Sequence, residues 1–210
     1  MPFISHKHRF IFVHVPKTAG TSIKKALFPY ADKNQIRFED NHDKVTDCPG
    51  WRPHRPMTLG MREWCDNDGW LSFTVVRNPY ARYASQYHRR MFEAKNRPQP
   101  GNQWILKMNF RQFLNKAMTP KSTLVPRHHE LICGPDGELL VDELIHFESL
   151  KKDFRRVCEK LGLGELNLKH YKRNDPYDYR DLYDPDSIAT VTNYCQQDLK
   201  LLKYNFGDPG

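Results

Sequence analysis

Nothing in this 210-residue chain approaches the run of ~20 apolar residues that a membrane-spanning helix needs. The first strand-like stretch starts within ten residues of Met1, which leaves no length for a secretory leader, so the expected setting is soluble and cytoplasmic. Cysteine is sparse and scattered. Cys48, Cys65, Cys133, Cys158 and Cys195 are odd in number and form no Cys-x-x-Cys pair, which excludes a zinc ribbon and a disulfide framework and points to reduced thiols. No internal repeat, low-complexity tract or nucleic-acid-binding motif is present. The Gly-x-x-x-x-Gly-Lys-Ser/Thr signature of a Walker loop is missing as well. What remains is a chain of ordinary composition, 39% hydrophobic, with 33 Lys and Arg against 25 Asp and Glu and a formal net charge of +8. That length suits one compact domain spanning residues 1–210, and that charge suits an anionic ligand. Residues 40–56 and 95–104, rich in Pro, Gly, Asn and charge, read as surface loops over a site rather than linkers.

The most informative segment is Phe10-Ile-Phe-Val-His-Val-Pro-Lys-Thr-Ala-Gly-Thr-Ser22. Phe10 to Val15 is β-branched and aromatic, as a buried strand should be. Pro16 has no N–H for the ladder and ends it. The small residues that follow lead into a helix over Ile23 to Phe28. A small-residue turn at a helix N-terminus points several unpaired backbone N–H groups at one place, and the helix dipole favours an anion there. Lys17 adds a mobile positive charge, and Thr18, Thr21 and Ser22 add hydroxyls. A phosphate-like group is the expected ligand. The lysine precedes the one glycine, Gly20, instead of following a second one, so the loop is not of Walker type.

Pro-Lys-Thr-Ala-Gly-Thr-Ser at 16–22 resembles the loop that binds the 5′-phosphosulfate in sulfotransferases using 3′-phosphoadenosine 5′-phosphosulfate (PAPS), especially the carbohydrate or Golgi-type branch. A second segment extends the resemblance. Leu71-Ser-Phe-Thr-Val-Val-Arg-Asn-Pro-Tyr-Ala-Arg-Tyr-Ala-Ser-Gln-Tyr87 again joins a strand, Phe73 to Val76, to a helix that accepts Pro79 in its first turn. Its pattern is similar to the family's site for the 3′-phosphate. Carried over by position, Arg77 and Ser85 would grip that phosphate, Arg77 with its planar fork of donors. Arg82 is either a third partner or a structural arginine, while Tyr80, Tyr83 and Tyr87 read as packing residues. ATP has no 3′-phosphate, so a kinase would have no use for this pair.

The resemblance implies a single α/β, P-loop-like domain whose central, mainly parallel β-sheet is flanked by helices on both faces. It continues, more softly, through Val141–Phe154, a strand followed by a Phe-Glu-x-Leu-x-x-Asp-Phe helix. It ends in Tyr179–Phe206, where Asp184 and Pro185 open a last helix with an apolar stripe over Ile188, Val191, Tyr194, Cys195, Leu199 and Leu202. Cys133-Gly-Pro-Asp-Gly-Glu138 reads as a turn, with Glu130–Cys133 and Leu139–Val141 flanking it as a hairpin. The lack of a membrane anchor departs from the Golgi members and fits a soluble, bacterial-like relative.

The resemblance also distributes roles. Residues Lys17, Thr18, Ala19, Gly20, Thr21 and Ser22 would hold the phosphosulfate. Lys172 and Arg173 fall where the family places a basic loop over the nucleotide. In relatives a histidine followed by a short helix precedes the second strand, and His54, with Met57 to Cys65 as the helix, occupies that place; His42 is the alternative. His54 would take the acceptor hydroxyl's proton, and Lys17 would stabilise charge on the departing phosphate. No metal is needed, since lysine and helix terminus neutralise the leaving group. His14 reads as a packed core residue, and His128 and His129 as residues that could line the acceptor cleft. The Lys151/Lys152/Arg155/Arg156 cluster reads as a solvated helix face. Trp51, Trp64, Trp70 and Trp104 are either buried or stacked on sugar rings. The implied acceptor is a hydroxyl on a glycan or glycolipid, with no nucleic-acid partner. Two other readings compete: a P-loop phosphotransferase, and a non-catalytic polyanion-binding relative whose binding would fall steeply with salt.

Overall fold

A computed structural model describes residues 3–31, 56–119, 122, 124–168 and 177–210. In chain order the elements are β1 (Phe3–Ser5), β2 (Phe10–Val13), α1 (Gly20–Leu27), α2 (Leu59–Asp68), β3 (Leu71–Val76), α3 (Pro79–Asn96), α4 (Phe110–Ala117), α5 (His129–Ile132), β4 (Glu143–His146), α6 (Leu150–Lys160), α7 (Pro185–Tyr194) and α8 (Gln196–Leu202), with short 3-10 turns between some of them. The architecture is α/β. The sheet order is β1-β2-β3-β4, with β2, β3 and β4 parallel and β1 added antiparallel at one edge.

Contacts within the chain gather into two compact units, residues 3–76 with 128–168, and residues 77–127 with 177–210. The first holds the whole sheet. Successive side chains of a strand point to opposite faces, and here both sets are buried: Phe10 and Phe12 on one side of β2, Ile11 and Val13 on the other. Burial on both faces is why these strands read as near-continuous apolar runs rather than alternating ones. Phe12 pairs in register with Phe73, their ring centroids 5.3 Å apart, and α1 and α6 cover that face with Ile23, Leu27, Phe154 and Val157. Cys158 packs there too, and burial pushes its thiol up to about 11, which suits filling rather than chemistry.

The second unit is built on α3, whose Tyr80 and Tyr83 pack with Phe110, Phe113 and Val191 of α4 and α7. All three tyrosines of this helix are packing residues, as expected; Tyr87 lies against Phe110 and Phe113. Arg82 is fully buried and donates to the Pro126 carbonyl, a structural bond inside the second unit. Asp184 caps α7 in a capping box with Ser187, with Pro185 in the first turn. The single last helix expected from the stripe is two helices, α7 and α8, that meet at Cys195. The expected hairpin around Cys133–Glu138 is also smaller than foreseen. Only Cys133 and Leu139 form a bridge, and Glu130–Ile132 lies in the helical turn α5.

Ahead of β4, Asp142 ties the strands together. Its carboxylate accepts from the Ser72 backbone N–H and hydroxyl, both at 2.7 Å, and from Arg62 of α2. Burial opposes ionisation of Asp142, but these donors outweigh it and hold the carboxyl below its ordinary range. A carboxyl depressed in the folded state stabilises the fold above its unfolded pKa, and that contribution fades as pH falls through the folded value. Asp142→Asn is therefore expected to cost about 2 kcal/mol at pH 7, roughly 4–8 °C in Tm, and much less at pH 3. Melting curves of both proteins at the two pH values check this. An unchanged gap would mean that ionisation of Asp142 contributes nothing.

Candidate functional site

Because β2, β3 and β4 run in one direction, their carboxyl ends share one edge of the sheet, where parallel α/β sheets bind ligands. The chain leaves β2 there into the loop Pro16–Ala19 and enters α1 at Gly20. Lys17 and Ala19 both adopt the left-handed conformation, with φ of 67° and 62°. Non-glycine residues avoid that region at a cost of roughly 1–2 kcal/mol each, and successive N–H groups turned inward in such a loop make a concave anion receptor. Ala19 caps α1 without any side-chain bond, and the first turn of α1 holds no acidic residue. By contrast, Thr58, Asn78, Asn109 and Asp184 each cap their helix with a side chain. The positive end of α1 thus has neither a side-chain cap nor a carboxylate in its first turn.

Two side chains hold the loop in this shape. The Thr18 hydroxyl is buried and donates to the Val15 carbonyl at 2.9 Å, so its work is internal to the loop rather than toward a ligand. Gly20 lies against the imidazole of His14: a Cβ at position 20 would sit 1.9 Å from the ring's Cδ2 and 2.1 Å from its Nε2. The glycine is required by close approach, not by backbone angle. His14 is packed, as expected, with its ring also stacked 6.1 Å from Phe12.

A cleft of about 400 Å³ opens beside the loop, lined by Ala19, Ser22, Phe147, Leu150, Leu168 and the first residues of α6. Lys151 and Lys152 also border it, which corrects the reading of that charge run as one solvated face. Only its second half behaves so: Arg155 pairs with Glu165 at 2.9 Å, and Arg156 with Glu143 at 3.3 Å. At the end of β4, Asp153 of α6 accepts from the His146 backbone N–H at 2.9 Å and the Ser149 hydroxyl at 2.9 Å, and lies 3.2 Å from His146 Nδ1. Burial works against its charge, yet these bonds and Arg156 keep the carboxyl below its ordinary range.

In the second unit, Arg77 directly follows β3 and Ser85 is buried on α3. Between them Asn78 fixes the start of the helix. Its side chain accepts from the Tyr80 N–H at 3.0 Å and donates to the carbonyls of Asn205 and Asp208, each at 3.2 Å. The Tyr179 hydroxyl donates to the Asp208 carbonyl at 2.9 Å and accepts from the Gly207 N–H at 2.9 Å. The C-terminal segment is thereby sewn to the helix that carries Ser85.

The sequence profile of the sulfotransferase family matches residues 2–205, nearly the whole chain. The chain belongs to the sulfotransferase family. It is also 27% identical over 99 residues to an uncharacterized protein of Archaeoglobus fulgidus, across 47% of this chain and 72% of that protein. No solved structure matches. Membership carries sulfuryl transfer as the general chemistry, and the α/β architecture agrees with it.

Of the residues singled out by the family resemblance, 17–22 are described in the first unit and Arg77 and Ser85 in the second. His54, His42, Lys172 and Arg173 lie outside the described residues. His128 is fully buried and presents no open surface. Trp70 is buried beside His6, and Trp104 is half-buried. Among the described residues no group of His, Cys, Asp and Glu is arranged to hold a metal ion, and no helix is long and apolar enough to cross a membrane. Sequence reasoning missed Asn78 and the His146–Asp153 pair. An Asn directly before Pro at a strand-to-helix junction is a readable capping signal, whereas residues seven apart across a strand end carry none.

Proposed function

We propose that this sulfotransferase moves the sulfuryl group of PAPS to an acceptor hydroxyl, on a carbohydrate. The observation that carries the reading is the loop at 16–22. It combines two left-handed residues, a glycine pressed against His14 and a helix N-terminus without a side-chain cap opening on a cleft, features that suit a phosphate-like anion such as a phosphosulfate. Lys17, Ala19, Gly20, Thr21 and Ser22 would surround that group, with Thr18 keeping the loop in shape. Arg77 and Ser85 would hold the 3′-phosphate, and Lys172 and Arg173 would cover the nucleotide, by position in the family pattern. Phe147, Leu150 and Leu168 give the cleft an apolar wall on which a flat base could rest.

His54 is the proposed base. It would accept the hydroxyl proton as the acceptor oxygen attacks sulfur in line, while Lys17 meets the charge growing on the bridging oxygen of the leaving phosphate. One proton moves to His54, one S–O bond forms and one breaks, and the balance needs no redox partner. We place the protein in the cytoplasm, a setting that suits free cysteines such as the buried Cys65, Cys158 and Cys195.

Calorimetric titration with adenosine 3′,5′-bisphosphate, AMP and ATP tests the donor. The bisphosphate is expected to bind at least tenfold more tightly than the other two. Arg77→Ala should remove that preference, since a charge-assisted phosphate contact is worth about 1.5–3 kcal/mol. Equal or tighter binding of ATP would overturn the reading in favour of a phosphotransferase. Silence from all three would favour a polyanion-binding protein.

A further inference from the structure

We propose that Asp153 is a positioning residue for the donor site: its carboxylate holds the turn Phe147–Ser149 in place as a wall of the cleft, and so sets how firmly the base of the donor nucleotide is held. The proposal rests on the reading that the cleft beside the loop at 16–22 takes that base, and deepens it by naming what shapes the cleft. The segment is a single 3-10 turn between β4 and α6, and Phe147, Glu148 and Ser149 all line the cleft, together with Ala19 and Ser22 from the loop side. Asp153 is not among the lining residues. It lies in the first turn of α6 and is 5% exposed. One of its oxygens, Oδ2, accepts from the His146 backbone N–H at 2.9 Å and from the Ser149 hydroxyl at 2.9 Å, and lies 3.2 Å from His146 Nδ1. The residue before the turn and the residue that ends it are thus tied to one atom, which fixes Phe147 and Glu148 between them.

Ser149 gives up an ordinary role to make this bond. It stands at the N-cap of α6, where a serine usually accepts from a backbone N–H of the first turn, yet it makes no capping bond and donates to Asp153 instead. A 3-10 turn has poor hydrogen-bond geometry of its own, so an outside anchor decides its shape. Asp153 is itself fixed through its other oxygen. Arg156 donates to Oδ1 at 3.4 Å, and also to Glu143 Oε2 at 3.3 Å and the Leu144 carbonyl at 3.2 Å in β4. Burial opposes the charge on Asp153, but these donors keep its carboxyl below the ordinary range, so it is an ionised acceptor at neutral pH. Hydrogen bonds to an ionised acceptor are about twice as strong as neutral ones, which suits a carboxylate here better than an amide of the same shape. A wall already held in one place loses less freedom when a ligand settles on it, and the benefit falls on the part of the ligand that touches the wall. That part is the base, which meets Phe147 and Leu150. The phosphates rest on the loop at 16–22 in this reading and do not share the dependence.

The test is calorimetric titration of the full chain with two ligands that share both phosphates: adenosine 3′,5′-bisphosphate, and methyl riboside 3,5-bisphosphate, which lacks the base. The ratio of the two affinities reads the contribution of the base, and in the wild type it is expected to be about tenfold or more. Asp153→Asn should lower that ratio about fivefold, by weakening the base-bearing ligand alone, and Ser149→Ala should lower it roughly threefold. Asp142→Asn, which loosens the same sheet without touching the turn, should leave the ratio unchanged. Ser149→Ala decides the matter by itself if Asp153→Asn does not fold. An unchanged ratio, whether both ligands bind as before or both weaken alike, would overturn the proposal, and so would an equal fall in Asp142→Asn. Absent bisphosphate binding in the wild type, or a wild-type ratio near one, would instead reject the reading of the cleft as the seat of the base, on which the proposal rests.

Discussion

Gly20→Ala is expected to weaken binding of adenosine 3′,5′-bisphosphate by roughly 5- to 150-fold, the equivalent of the 1–3 kcal/mol that overpacking a tight contact costs. The reason is local. Position 20 has no need of a left-handed φ, so alanine brings no backbone penalty and would ordinarily improve the first turn of a helix. The added methyl would instead enter the His14 imidazole, 1.9 Å from Cδ2. His14 cannot yield without leaving its stack on Phe12, so part of the adjustment falls on the loop and moves its N–H groups off the phosphate. The double variant Gly20→Ala/His14→Ala removes the obstacle and should recover most of the affinity, a coupling that a mutant cycle measures directly. Normal affinity in the single variant would show that this loop is not the cradle. A loss that the double variant fails to recover would place the damage somewhere other than the His14 contact.

Lys17→Ala should lower kcat by about 10²- to 10³-fold, the range seen when one preorganised donor to a developing charge is removed. Affinity for the bisphosphate product is expected to change far less, because in the proposed role the charge that Lys17 meets grows on the leaving oxygen in the transition state. The substitution is clean for a structural reason. Lys17 sits at φ 67°, and alanine, which also carries a Cβ, tolerates that angle about as well as lysine does, so the loop keeps its shape while the charge disappears. Equal losses in kcat and affinity would make Lys17 a ground-state binding residue instead. His54→Ala is the companion measurement. Nucleotide binding should persist while transfer is lost, and near-normal turnover would pass the base role elsewhere, with His146 beside Asp153 as the first residue to test.

How far the sequence carried depended on whether the signal was local. Strand β2, the turn after it and helix α1 are contiguous, so side-chain size, Pro16 and the small-residue run specified them without tertiary help. The same holds for β3 and α3, where Pro79 and the preceding Asn78 set the helix start, and for the Asp184–Pro185 cap of α7. The resemblance to the family was legible in those stretches because its motifs lie on contiguous backbone, and the family match over residues 2–205 bears the membership out. The break between α7 and α8 was not legible, since the apolar stripe keeps its period through Cys195 and packing, not periodicity, ends the first helix. The 133–139 turn misled for a similar reason: a Gly-Pro-Asp-Gly turn fits one bridge as well as a full hairpin.

What the sequence by itself determined, then, is what sits on contiguous backbone: the family, the α/β alternation, and the two strand-to-helix junctions at 16–22 and 77–85 on which the proposed site is placed. Only the tertiary structure decided the contacts between distant residues, where sequence separation erases any pattern. It pressed Gly20 onto His14, turned the Thr18 hydroxyl inward and split the Lys151–Arg156 run between a cleft and a surface. It also tied both ends of the turn Phe147–Ser149 to the Asp153 carboxylate. Each of these is set by which elements pack together, a property of the whole core rather than of any window of the chain.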